Sequence, residues 1–290
     1  MGLDIGCGNY NIVQNNLVAS YAVFNDRVAD PGYTAIDLSR YGAFSPSEIS
    51  GFSRARCVDG IALSGNYLSL VFDNEVTDCT GDLVLSYDHG PMHNSVYGHQ
   101  QNLFFRNYFH DNAAYWIIRE YDKQTGGVSY DELFFNNVLA KNGASARFSF
   151  EHSVGLMLVN NTVVDNGPLA LAEQSTGALI ANNIFYSSIL SVAADSTGAQ
   201  VATNYQGAAA ILFVDYQGGD YHVAAQTGSA CIDTGTNLSS ALDAVFAAVA
   251  AHMGEYAFYP DFDLAFDFYR DRDGNLQDAG WDLGAYSQPR

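Results

Sequence analysis

The feature that most constrains this chain is a phrase that recurs along it: apolar residues, a polar residue or asparagine, an asparagine, then apolar residues again. It reads IVQNNLV at 12–18, VFDNEV at 71–76, FFRNYF at 104–109, FFNNVL at 134–139, MLVNNTVV at 157–164, LIANNIF at 179–185 and QVATNY at 200–205. The anchors are Asn16, Asn74, Asn107, Asn137, Asn161, Asn183 and Asn204, with Phe52 read as an asparagine-free member between the first two. From Phe52 onward the steps are 22, 33, 30, 24, 22 and 21 residues, which sets a unit of about 22. Short alternating strands such as Leu83-Val84-Leu85 and Trp116-Ile117-Ile118 flank the copies, and polar turns separate them. A unit of this size cannot bury its own apolar side. Copies must therefore stack, each strand pairing with its counterparts above and below.

A second ladder supports the register: the fifth residue after each anchor is Cys57, Cys79, Asn112, Asn142, Asn166 and Ser188. Asparagine suits such positions because it tolerates a left-handed turn and can hydrogen-bond the same amide one unit away. Cys57 and Cys79 are expected about 4.8 Å apart, as stacked thiols or a disulfide.

The repeat predicts an all-β chain: a right-handed parallel β-helix solenoid of about eight coils over residues 1–214, with 215–290 as a C-terminal capping segment of the same domain. On these copies the chain resembles the right-handed parallel β-helix proteins of pectate-lyase-like architecture, from Leu3 to Val214. That resemblance implies a carbohydrate-active protein and leaves lyase, hydrolase, epimerase and adhesin chemistries open. Leu242, Val245, Phe246 and Val249 fall at helical spacing within 239–253, which predicts a helix covering the end of the stack. Leu3-Asp4-Ile5 reads as a strand with no capping segment before it, so an N-terminal piece is expected to be missing. The stretches 230–235, 271–275 and 281–286 resemble the C-terminal segment of secreted bacterial β-helix proteins, so a secreted or periplasmic location is expected, with no signal peptide in this sequence. Asp271, Asp273, Gly274 and Asn275 mimic the start of a calcium loop, but the glycine comes too early, and a tight polar turn is the better reading.

Twelve basic against 32 acidic residues give a net charge of −20, which argues against nucleic acid and anionic membranes as partners. The longest apolar run, Ala208 to Val214, is too short to span a bilayer. The same charge repels a polyanionic sugar, so a uronate substrate requires a local cation. Cys7, Cys57, Cys79 and Cys231 show no CxxC spacing and indicate no zinc site.

The steps of 33 and 30 carry about ten extra residues each, which places loops near Tyr87–Gln101 and Tyr121–Asp131 as walls of a cleft. His89, His93, His99 and His110 fall in or beside it, and His152 follows one unit later. With Leu83, Leu85, Trp116, Ile118, Phe148 and Phe150 facing inward, Arg119 faces solvent between Ser86, Asp88 and His89 on one side and Arg147, Glu151 and His152 on the other. The segments LSYDH (85–89) and IIRE (117–120) resemble the catalytic stretch of mannuronan C5-epimerases, in which an Asp-Pro-His-Asp turn precedes an Ile-Ser-Arg-Glu-like strand. Asp88, His89 and Arg119 correspond, whereas the proline and second aspartate are absent here.

These residue types suit C5 proton abstraction from a uronate in a polysaccharide. Arg119 neutralises the carboxylate and stabilises the enolate-like dianion, His89 acts as base, and Tyr97, Tyr121 or Tyr130 donates a proton. Expulsion of the C4 oxygen then makes a lyase, and reprotonation from the other face a C5-epimerase. His93, Tyr97, His99, Lys123, Tyr130, Arg147 and His152 are the expected substrate contacts. No cofactor is required, or Ca²⁺ held by Asp88, Glu120, Asp122 or Glu151 shares the neutralising task. The alternatives are an inverting glycoside hydrolase using Asp88 and Glu151 about 9.6 Å apart, a zinc site from His89, His93 and His99, and a non-catalytic glycan-binding adhesin.

Overall fold

The computed structural model describes residues 3–5, 12–19, 60–63, 66–77, 83–87, 101–112, 116–120, 128–208, 213–224, 230–252, 268–276 and 281–287. Strands come in successive triplets. The first three triplets are β1 (Leu3–Ile5), β2 (Ile12–Gln14) and β3 (Leu17–Ala19); β4 (Ile61–Leu63), β5 (Leu70–Phe72) and β6 (Glu75–Thr77); and β7 (Leu83–Tyr87), β8 (Leu103–Phe105) and β9 (Tyr108–His110). The fourth and fifth each gain a two-residue strand: β10 (Trp116–Glu120), β11 (Ser129–Tyr130), β12 (Leu133–Phe135) and β13 (Val138–Gly143), then β14 (Arg147–Glu151), β15 (Ser153–Val154), β16 (Met157–Val159) and β17 (Thr162–Asn166). The last are β18 (Leu169–Ala172), β19 (Leu179–Ala181) and β20 (Ile184–Tyr186), and β21 (Leu190–Val192), β22 (Gln200–Ala202) and β23 (Tyr205–Gly207).

Like strands of successive triplets pair in parallel and form three seven-stranded sheets: sheet I (β1, β4, β7, β10, β14, β18, β21), sheet II (β2, β5, β8, β12, β16, β19, β22) and sheet III (β3, β6, β9, β13, β17, β20, β23). The chain is thus mostly β and visits the three sheets in a fixed order, an arrangement compatible with a parallel β-helix. The Asn16-to-Asn74 step corrects the sequence reading. β2 pairs directly with β5 and the Asn16 amide donates to Asn74 Oδ1 at 2.9 Å, so no unit anchored at Phe52 intervenes. Phe52, like Cys7, Cys57 and Cys79, lies outside the described residues.

The turn from sheet II to sheet III explains the recurring phrase. The residue before each anchor adopts the left-handed conformation: Asn15, Asp73, Arg106, Asn136, Asn160, Asn182 and Thr203 all have φ between 48° and 57°. The anchor itself therefore does not supply the left-handed residue. It supplies the ladder: in each step its backbone N–H and Nδ2–H both donate to Oδ1 of the next anchor, from Asn16 through Asn74, Asn107, Asn137, Asn161 and Asn183 to Asn204. The second ladder follows the same scheme from Asn112 to Asn142 to Asn166, which ends on Ser188 Oγ. Because each amide satisfies buried backbone groups on the neighbouring unit, the polar turns can be packed without stranded donors.

One core lies between the three sheets, with Ile61, Phe148, Phe150 and Leu171 from sheet I, Val71, Phe104, Phe134, Leu158 and Ile180 from sheet II, and Phe109, Leu139, Val163 and Phe185 from sheet III. The Phe104 and Phe134 rings stack at 4.5 Å. Two further apolar clusters cover outer faces. On sheet II, Leu70, Phe72, Leu103, Phe105, Leu133 and Phe135 pack against Leu242, Phe246 and Val249 of helix α1 (Ser239–Ala251). The expected helix is present, yet it lies across this outer face and not over the end of the stack. The physical reason is the double-sided apolar character of sheet II strands, which need a second cover. On sheet III, Val138, Ala140, Val164, Ile184 and Tyr186 pack against the antiparallel hairpin of β24 (Phe213–Asp215) and β25 (Asp220–Val223) and against Leu283 and Ala285. Among the described residues no helix is long and apolar enough to cross a membrane.

Candidate functional site

Helix α1 covers the outer face of sheet II, and the β24–β25 hairpin that of sheet III. One register line of sheet I runs Ala62, Ser86, Arg119, Ser149, Ala170, Ser191. Here the structure holds an open concavity of about 460 Å³, lined by Ala144, Ser145, Arg147, Ser149, Glu151 and Pro168 among others. Arg147, Ser149 and Glu151 alternate on one strand and so share a face. Ser149 Oγ donates to Glu151 Oε1 at 2.6 Å, a short bond of the kind a carboxylate accepts, which fixes one oxygen of the half-buried carboxylate. The exposed Arg147 opens the strand at the other end of the groove.

The predicted site residues fare differently. Asp88, His89, His93, Tyr97, His99, Tyr121, Asp122 and Lys123 lie outside the described residues. For Arg119 and Glu120 the backbone is described. Arg119 aligns with Ser86 on one side, as expected, and with Ser149 on the other, whereas Arg147 aligns with Trp116, and Glu151 with Ala172. Glu120 aligns with Tyr87 and the buried Phe150. Strict alternation also fails before Arg119: Ile117 and Ile118 are both buried, and the pairing of β10 with β14 slips between Trp116 and Ile118.

Two expected substrate contacts are placed elsewhere. Tyr130 belongs to β11, which pairs with β15 outside the three sheets, and it does not line the groove. His152 occupies a left-handed turn with φ 56° and sits 3.7 Å from a Glu173 oxygen, so its ring faces the next unit's carboxylate. His110 lies on sheet III, with Nε2 3.0 Å from Glu75 and Nδ1 2.8 Å from Asp111, stacked on Tyr108 at 3.9 Å. It therefore belongs to a different face from Arg119. Among the described residues no three His, Cys, Asp or Glu side chains form a metal-binding group.

A concentration of titratable groups that the sequence reading passed over lies outside sheet III. His222 on β25 is held between Asp220 Oδ1 and Asp273 Oδ2, each at 2.5 Å, and stacks on Tyr286 at 4.0 Å. Burial lowers the His222 pKa, but the hydrogen bonds and charges of Asp220 and Asp273 outweigh it and raise the value overall. The Tyr216 hydroxyl donates to Asp165, and that bond with burial pushes its pKa up to about 12. Both ring nitrogens of His222 are engaged, so these contacts pin the hairpin and the C-terminal turn to each other. In that turn the buried Asp271 carboxylate accepts the backbone N–H groups of Asp273, Asn275 and Ser287 at 2.8–2.9 Å, with Asn275 Nδ2 at 3.2 Å, which accounts for DRDGN as a polar turn. Matches at i, i+2 and i+4 to one aspartate are the signal that marks it.

Comparison with protein-family models, with curated proteins and with solved structures finds no match.

Proposed function

We propose that the three parallel sheets are the walls of a right-handed parallel β-helix and that the groove on sheet I binds a uronate-containing polysaccharide, which the protein cleaves as a lyase by C5 proton abstraction and β-elimination. The observation that carries this reading is the groove itself: an open concavity with Arg147 and Glu151 on one face of β14, next to the strand on which Arg119 is in register with Ser149. In a chain of net charge −20, two arginines on adjoining strands are the local cations that a uronate carboxylate needs. Arg119 neutralises the carboxylate and stabilises the enolate-like dianion, Arg147 binds a neighbouring sugar, and His89 takes the C5 proton. The C4–O bond breaks, the proton goes to the leaving oxygen from a tyrosine such as Tyr121, and an unsaturated sugar end remains. Reprotonation at C5 in place of elimination is the epimerase outcome of the same machinery.

Hydrolysis is the second reading, favoured by the Glu151 carboxylate in the groove with one oxygen held by Ser149 Oγ; in this reading it is paired with Asp88 as an inverting glycosidase requires. The test is incubation with alginate, pectate and neutral glycans, following ultraviolet absorbance of unsaturated products, reducing ends and the C5 configuration separately. Unsaturated products that vanish in folded Arg119→Ala support the lyase; reducing ends without unsaturation, lost in Glu151→Gln, replace it with the hydrolase. Full activity in Arg119→Ala removes the arginine-based chemistry.

A further inference from the structure

The two ends of the stack differ. One core line of sheet II runs Val13, Val71, Phe104, Phe134, Leu158, Ile180, Val201 by direct strand register. Val13, on the first triplet, is 5% exposed, whereas Val201, on the last, is 50% exposed. In sheet I the Leu171 line likewise ends on an exposed residue, Val192 at 39%, and Ile189 is at 59%. The core positions of the last triplet are thus left in solvent, whereas Val13 of the first is buried.

The last triplet also carries an open hydrogen-bond template. Among the described residues nothing pairs with the far edges of β21, β22 and β23. The asparagine ladder is polar, and each anchor but the last gives its N–H and an Nδ2–H to the anchor after it. Asn204 donates Nδ2–H to Ile180 O at 2.8 Å and has no further anchor to receive its remaining donors. Exposed strand edges with apolar residues between them are surfaces that natural sheets normally blunt with charge. Here the blunting is absent: residues 189–208 contain a single charged residue, Asp195, in a chain with 12 basic and 32 acidic residues.

We propose that this end is an interface, and that its occupant is the same end of a second copy of the chain, giving a twofold dimer. The near-neutral face selects the partner: it is the surface on which two copies of a molecule with net charge −20 can meet without strong repulsion. Its size fits, because the last triplet runs from Leu190 to Gly207, close to the roughly 20 residues a side of a stable interface. A contact between two like ends is isologous and closed, and not a head-to-tail filament.

The experiment is the solution mass of the full chain by light scattering over a concentration series. The expected result is a species of twice the 31.4 kDa chain mass, reduced twofold by Val201→Lys, which places a charge on the core line of the interface. Gln206→Lys provides a second variant: Gln206 is already exposed and continues the Phe185 line, so the substitution removes no buried contact within the chain. It is expected to halve the mass while far-UV circular dichroism stays unchanged. Leu276→Lys, at an exposed apolar residue elsewhere, is expected to remain dimeric. A monomeric parent chain, a mass that climbs beyond two copies, or a dimer that survives Gln206→Lys overturns the proposal.

Discussion

The asparagine ladder makes a directional prediction. Asn137 is fully buried; its Oδ1 accepts from Asn107 N at 3.0 Å and Asn107 Nδ2 at 2.9 Å, and its Nδ2 donates to Asn161 Oδ1 at 3.0 Å and Phe104 O at 2.8 Å. Asn137→Ala strands two buried donors of Asn107, each costing about 1–3 kcal/mol when left without an acceptor, so a loss of about 4 kcal/mol is expected. Asn16 sits at the other extreme. It donates to Asn74 Oδ1, but among the described residues nothing donates to its own Oδ1, so Asn16→Ala strands no donor and is expected to cost about 1 kcal/mol or less. Equilibrium urea unfolding followed by both fluorescence and circular dichroism reads the difference, with coincident transitions required before free energies are compared. Losses that agree within about 1 kcal/mol for the two variants would refute the view that the ladder stabilises by satisfying buried donors on the preceding unit.

The His222 contact sets a pH dependence. Its pKa in the folded chain lies above the ordinary 6.5, so it contributes stability that is fully present below that value and is lost as pH rises through the folded pKa; His222→Gln is expected to flatten this segment of the stability–pH curve measured by thermal unfolding. An unchanged curve would show that the carboxylate sandwich contributes nothing. Asp271→Ala removes the acceptor of three backbone N–H groups from a buried site and is expected to lower stability by about 3 kcal/mol, with hydrogen exchange rising first at Asp273, Asn275 and Ser287.

The composition of the strands made part of the unexpected packing legible after the fact. In sheet II the triplets LVF, LFF and LFF are apolar at every position, a mark of strands covered on both faces, and helix α1 supplies the second cover. In sheet I, RFSFE alternates, with Phe148 and Phe150 buried and Arg147 and Glu151 turned to the groove, the pattern of a strand with one open face. The 58-residue separation of Asn16 from Asn74 defeated the spacing argument, because register is set by matching hydrogen bonds and apolar lines and is indifferent to how much chain is inserted between them.

Local rules therefore determined most of what repeats: the strand triplets, the ladder asparagines and the apolar core line can all be read from the residues, since each depends on contacts between equivalent positions one unit apart. Tertiary structure alone decided what happens outside the core. Where α1 and the hairpin dock, which face of the stack stays open, and that Arg147 and Glu151 meet there while His110 and Tyr130 do not, depend on matching one surface to another distant in sequence, and no period within the chain encodes such a match.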